Sequence, residues 1–207
     1  MARTQQQRRE DTIAALLDAG IAAIVEVGYA RASAAEITKR AGVSVGALFR
    51  HFDTMGDFMA AIAQEVLRRQ VDLFEKQVAE IPADRPVIEA MLTILRDITR
   101  GPTNAVLYEL MIAARTDEKL RATFQEVLVE YEEKIFAVVR TLPATENVPL
   151  DTLAAVIALL TNTFDGAAIL RAVAPQPELD AQQIPLIAML LTRAYGQPAA
   201  ITTAPPG

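Results

Sequence analysis

The 207 residues hold 20 Lys and Arg against 26 Asp and Glu, one His, and neither Cys nor Trp. Zero cysteines exclude a disulfide framework, thiolate catalysis and thiolate-held zinc or iron–sulfur clusters, and they fit a reducing, cytoplasmic compartment. His51 is the single imidazole and Leu48 stands three residues before it, which excludes a multi-histidine metal site and a Glu-x-x-His di-iron motif and makes a histidine triad strained. No metal or other cofactor is expected.

An apolar share of 52% supplies a real core at a length where roughly 70% of the unfolded surface is buried. The longest wholly apolar run, Leu153 to Leu160, falls short of the roughly 18 residues of a membrane span, so no membrane association is expected. Residues 1–9 carry Arg3, Arg8 and Arg9 among glutamines and lack the apolar segment of a secretory signal; they read as a basic arm. The net charge of −6 argues against a protein that coats nucleic acid, yet residues 1–51 hold seven basic and five acidic side chains while the remainder carries −8. Ordinary surface scatter explains that asymmetry equally well, so spacing has to decide.

Nearly every periodic segment has helical spacing and none alternates with period two between hairpin turns, which predicts an all-α fold. Ile13, Leu16, Leu17, Ile21, Ile24 and Val25 form a first stripe that ends at Gly28. Ser33 with Glu36 three residues on is a capping-box pattern, opening a short helix that Gly42 stops. Ser44 caps a third helix from Val45 to Phe52. Longer helices are predicted from about Asp57 to Glu80, Val87 to Arg100, Asn104 to Arg115 (apolar on nearly every side, hence buried), and from a Thr116-Asp117 cap to Pro143. Two late helices, Leu150 to Val173 and Ala181 to Tyr195, flank Pro175-Gln176-Pro177, and the tail 197–207 reads as frayed.

Two short helices joined by a tight glycine turn make a helix-turn-helix (residues 33–52), whose second helix can enter the major groove of double-stranded DNA. Gly42 reverses the chain, Val43 buries the turn, Ile37, Ala41 and Leu48 lock the helices, and Gly46 and Ala47 allow close approach to the groove. Ser33 and Ser44 would cap their helices even in a protein that never met DNA, His51 could be a plain helix-end histidine, and Phe52 reads as structural.

The stretch Gly28-Tyr29 followed by Ser33-Ala-Ala-Glu-Ile-Thr-Lys-Arg-Ala-Gly-Val-Ser-Val-Gly-Ala-Leu-Phe-Arg-His-Phe52 resembles the DNA-binding domain of the TetR family of one-component transcriptional regulators over about residues 8–65. Glu109 to Asp117 and Asp165-Gly166 are similar to common features of that family's C-terminal half. The resemblance implies a DNA-binding domain at 1–55 and a helical ligand-binding and dimerisation domain at 56–207. It also implies a homodimer on a palindromic operator, released by a small molecule, and no catalysis. Carried over residue by residue, Ser33 and Thr38 belong to the DNA-binding set, Ser33 on a phosphate. Ser44, Val45, Gly46 and Ala47 would face base edges, and Phe49, Arg50 and His51 would follow the sugar–phosphate backbone. Val45 departs from the family's frequent Lys or Arg, which favours thymine methyl contact over guanine readout. Phe49 replaces a frequent Tyr and Met55 a frequent phosphate-binding Lys; losing a cationic contact flattens the salt dependence by roughly 0.9 per site, which the basic arm could offset.

In the C-terminal half, Met91, Leu95, Tyr108, Met111, Ile112, Phe124 and Tyr131 either line a ligand cavity or fill a core. Polar groups on apolar helices, Glu109, Thr161, Asn162 and Asp165, are sharper pointers, although Glu109 pairing with Arg115 or Arg96 is an equal alternative. The composition favours a mostly apolar or aromatic effector. Gly166, Ala167, Leu170, Ile187 and Leu191 on the late helices are the dimer-interface candidates. The rivals are an architectural or cell-division factor that binds DNA without an inducer, a carboxylate- or tyrosine-based enzyme in a helical pocket, and a helical interaction module whose helix-turn-helix is accidental.

Overall fold

The computed structural model describes residues 4–82 and 84–195. It consists of α1 Gln5–Val27, α2 Ala34–Ala41, α3 Val45–His51, α4 Met55–Ala79, α5 Val87–Arg100, α6 Pro102–Ala114, α7 Glu118–Val139, α8 Leu150–Val173 and α9 Pro177–Tyr195. Short 3-10 turns lie at Tyr29–Arg31 and Pro143–Thr145, and the described residues include no strand. The all-α expectation holds.

Local chemistry accounts for the boundaries. The Thr4 hydroxyl accepts the Gln7 N–H at 3.2 Å while the Gln7 side chain accepts the Thr4 N–H at 2.9 Å, a reciprocal cap that starts α1 earlier than the apolar stripe suggests. Arg8 and Arg9, expected in an arm, are therefore exposed residues of α1; Arg3 and the tail 197–207 lie outside the described residues. Gly28 closes α1 with φ 83°, a conformation that costs glycine little. Thr54 and Asp57 cap α4 reciprocally, the Thr54 N–H donating to Asp57 at 2.9 Å and the Asp57 N–H to Thr54 at 3.1 Å. Pro102, which ends α5, opens α6 at its first turn, and Pro177 likewise opens α9 four residues before the expected start, because a first-turn proline loses no helical hydrogen bond.

The chain packs as two compact units, one of residues through Glu75 with Ile98–Ile135, the other of Lys76–Asp97 with the residues from Phe136 on. The expected division at residue 55 is not where the packing divides. Leu16, Ile24, Ile37 and Leu48 from α1–α3 share one core with Phe58, Ile62 and Val66 of α4 and with Leu110 and Leu120. One long and two short helices bury too few large side chains to close alone, and α4 supplies the rest. The approach of α1 to α4 is close: a Cβ on Gly20 would lie 2.5 Å from Ile62 Cδ1 and 3.0 Å from Phe58 Cζ, both fully buried. A buried polar set crosses this unit as well. Gln70 Nε2 donates to Asn104 Oδ1 at 2.7 Å, and Asn104 Nδ2 donates to the Thr99 carbonyl at 3.1 Å and to the Tyr108 hydroxyl.

The second unit closes on Leu92, Phe164, Ile184 and Ala188, with Leu95, Leu160, Ile187 and Leu191 packed around them. Arg171 donates to Asp180 at 2.5 Å, joining the end of α8 to the start of α9. Among the described residues α8 alone is long and apolar enough to cross a membrane by length and composition, although its longest uninterrupted apolar run is short, and only 11% of its most apolar 18-residue window is buried.

Candidate nucleic-acid interface

The helix pair is built as its capping residues dictate. Ser33 accepts the Glu36 N–H at 3.3 Å and opens α2. Gly42 adopts φ 68°, ψ 28°, and a Cβ there would meet nothing within 4 Å. The left-handed backbone, rather than crowding, is what calls for glycine. The Val43 N–H closes the turn on the Thr38 carbonyl at 3.0 Å, and Ser44 accepts the Ala47 N–H at 3.2 Å to start α3. Leu48 is fully buried and is the inward anchor of α3. At about 100° per residue, Gly46 and Arg50 point opposite Leu48, with Val45 and Phe49 on one flank and Ala47 and His51 on the other.

That outward face is open. Val45 and Phe49 are each 42% exposed, Ser44, Gly46 and Arg50 are exposed, and Ala47 and His51 are half-buried. Gly46 has free space around it: a Cβ there would come no nearer than 3.9 Å to any neighbour, the closest being Ser44 Oγ, so nothing inside the protein requires a glycine at that position. Ser33 is exposed beside α2. Thr38 departs from expectation: it is 2% exposed, and its hydroxyl donates to the Ala34 carbonyl at 2.7 Å, so it steadies α2 and cannot reach a phosphate. Lys39, next to it, is exposed and presents a cation beside the turn. Met55 packs half-buried on the core, a structural use of the position.

Charge fixes the frame behind this face. Arg40 bridges Glu26 of α1 at 2.5 Å and Glu36 of α2 at 2.8 Å, and its hydrogen bond holds the Glu26 carboxyl below the usual carboxylate range. Asp57, at the start of α4, carries Lys119 of α7 at 2.7 Å, which lowers its pKa. Glu109 of α6 accepts the Tyr29 backbone N–H at the α1–α2 junction, where it also lies against Gly28. It is a positioning contact for that junction.

The remaining effector candidates are divided between the two units. Tyr108 belongs to the Asn104 set, Phe124 is core at 3% exposure, Met111 and Ile112 are exposed, and Asn162 is exposed on α8. Met91, Thr161 and Asp165 are half-buried in the second unit, where Leu95 packs on its core. Tyr131 lines a cleft of about 350 Å³ in the first unit, together with Phe52, with Ile13 and Leu17 of α1, with Leu67 and Val71 of α4, and with Val127 and Lys134 of α7. Single-helix periodicity could not show it, because it exists only where three helices meet. Phe52 also stacks edge-on against Phe58 at 5.0 Å between centroids. The second unit has its own cleft of about 630 Å³, lined by Val87, Ala144, Pro185, Met189 and Arg193 among others.

Of the interface candidates, Ile187 and Leu191 turn to the core of their own unit. The uncovered apolar side chains include Leu159, Ile169, Leu170 and Val173 of α8 and Leu179, Leu186 and Leu190 of α9, from 47% to 85% exposed. Gly166, half-buried with no atom within 4 Å of a Cβ, and half-buried Ala167 accompany them.

A capped helix pair turned at a left-handed glycine, with small and uncharged residues leading its outer helix, defines a helix-turn-helix DNA-binding protein. Residues 16–62 match the family model described as bacterial regulatory proteins, tetR family. The chain is 69% identical over 192 residues to an uncharacterized HTH-type transcriptional regulator of Mycobacterium tuberculosis (strain ATCC 25618 / H37Rv), covering 93% of this chain and 98% of that one. A TetR-family regulator of Mesorhizobium loti MAFF303099 superposes with TM-score 0.74 at 14% identity over 94% of this chain and 100% of that one. The multidrug binding protein EbrR, complexed with imidazole, gives 0.65 at 21% identity over 91% and 97%. The chain belongs to the TetR family and is a transcriptional regulator; its relatives are named as regulators rather than enzymes.

Proposed function

We propose that the protein is a cytoplasmic repressor that binds a palindromic operator as a homodimer and leaves it when a small, mostly apolar or aromatic molecule binds. The observation that carries this reading is the pairing of an open α3 face with bare apolar stripes on α8 and α9. Leu159, Ile169, Leu170 and Val173 recur on one side of α8, and Leu179, Leu186 and Leu190 on one side of α9. Surfaces of that kind are covered by a partner, and a second copy gives an isologous four-helix contact whose two-fold axis suits an inverted repeat. A lipid environment suits α8 less well, since Thr161, Asn162, Thr163 and Asp165 interrupt its middle and polar groups in hydrocarbon are costly. The effector part of the reading rests on the clefts, which are of a size that takes a small molecule and are lined mainly by apolar groups, with charged ones such as Glu65, Arg68 and Lys134 in the first and Arg193 in the second.

Selection from a random duplex library with the full chain, at two salt concentrations, tests this. Enrichment of one inverted repeat, with a dimer mass at micromolar concentration, is the expected outcome. Retention without sequence enrichment favours an architectural factor, and a monomeric mass refutes the dimer. Release of the enriched duplex by members of a panel of apolar and aromatic compounds checks the effector.

A further inference from the structure

Resting on that operator-binding reading, we propose that α3 recognises its site through pyrimidine C5-methyl groups, with Val45 as the principal reader, so that 5-methylcytosine substitutes for thymine there. Readout by hydrogen bonding that selects one base uses Arg or Lys for guanine, Asn or Gln for adenine, or a carboxylate for cytosine, while Ser or Thr serves more than one edge. None of these stands among Val45, Gly46, Ala47, Leu48 and Phe49. Ser44, before them, accepts the Ala47 N–H and keeps a hydroxyl donor that serves more than one base edge without selecting among them, and Arg50 lies one turn beyond Gly46, toward the end of the helix.

What the leading part of α3 does present is apolar surface without a partner in the chain. Val45 is 42% exposed at the first position of the helix, and Phe49, one turn on along the same flank, is exposed to the same extent. The one apolar group on the floor of the major groove is the thymine methyl. Gly46 has open space around it and no internal packing reason to lack a side chain, which lets the backbone come near enough for a short isopropyl group to touch that methyl. A methyl on cytosine C5 occupies the same place in the groove. Cytosine methylation at such a position therefore strengthens binding instead of blocking it.

The test uses the full chain and the enriched duplex, with uracil replacing thymine one position at a time. One or two positions per half-site lose about fourfold in affinity, the effect of a single buried methyl group. Replacing the same thymine by cytosine weakens binding, and 5-methylcytosine recovers part of the loss. Val45→Ala reduces the uracil penalty at its own position toward onefold while its melting temperature stays at the wild-type value, since the side chain is exposed. Indifference to uracil at every position, or an unchanged penalty in Val45→Ala, overturns the inference and leaves operator binding intact. Failure to enrich any duplex overturns the proposed operator binding and the inference together.

Discussion

The first unit and the α8–α9 region both leave apolar side chains in water, but in different amounts and with different neighbours. On α3 the exposed apolar groups are Val45 and Phe49, next to a glycine, an alanine and Arg50. On α8 and α9 they are whole leucine and isoleucine stripes, with Val173 at 85% exposure. The contrast shows that exposed apolar surface has to be read by its texture. A narrow strip of small residues beside cations suits a grooved, charged surface, whereas long branched side chains at helical spacing suit another protein face.

The largest expected effect breaks the second member of that comparison. Leu170→Glu with Leu186→Glu places carboxylates where the stripes would meet a partner copy and removes nothing from the chain's own core. We expect a monomer by sedimentation at micromolar concentration and an operator affinity at least about 100-fold lower, because each half-site then binds alone. Unchanged dimer mass would place the contact elsewhere. By contrast, Leu191→Ala should act on stability first, since Leu191 packs on the Leu92 and Phe164 core.

How well the sequence foretold these faces depended on whether the determinant was local. The bounds of α2 and α3 were readable because Ser33, Gly42 and Ser44 act on neighbouring backbone groups. Choosing between Leu186 and Ile187, or between Leu190 and Leu191, was not, since a helix that is apolar nearly all round takes its inner face from its tertiary partner. Glu109 stood out as a polar group on an apolar helix, yet its partner, the Tyr29 N–H, is 80 residues away. Thr38 was misassigned because a threonine that bonds its own helix four residues back looks, in sequence, like any hydroxyl beside a DNA-binding turn.

Two glycines sharpen the comparison within the first unit. Gly20→Ala drives a methyl group against fully buried Ile62 and Phe58, so those side chains have to shift within the core. The expected loss is about 1–3 kcal/mol in urea unfolding. Gly46→Ala should do the opposite to the fold, raising stability by up to about 0.5 kcal/mol through helix propensity, while lowering operator affinity about tenfold. A variant that is more stable and binds less well separates a glycine kept for an outside surface from one kept for packing. Equal binding by Gly46→Ala would mean that α3 does not approach its target at that point.

The smallest effect concerns how α4 holds its neighbours by charge. Glu65 takes Arg68 at 2.8 Å and Arg69 at 2.6 Å, and Arg69 continues to Asp18 of α1 at 2.5 Å. Hydrogen bonds from Arg68, and then from Arg69, hold the Glu65 carboxyl at about 2 against an ordinary 4.5. A carboxylate whose pKa is lower in the folded state stabilises fully above its unfolded value, and that stabilisation fades as pH falls through the folded one. Both arginines are about half exposed, so screening leaves a contribution of about 1 kcal/mol. Glu65→Gln should therefore be less stable than the wild type by that amount near pH 7, with the gap closing between pH 4.5 and about 2. Thermal melts across that range check the sign. If the gap persists at the acid end, the loss came from packing of the Glu65 stem and not from its charge, and α4 is held to α1 chiefly by their shared buried core.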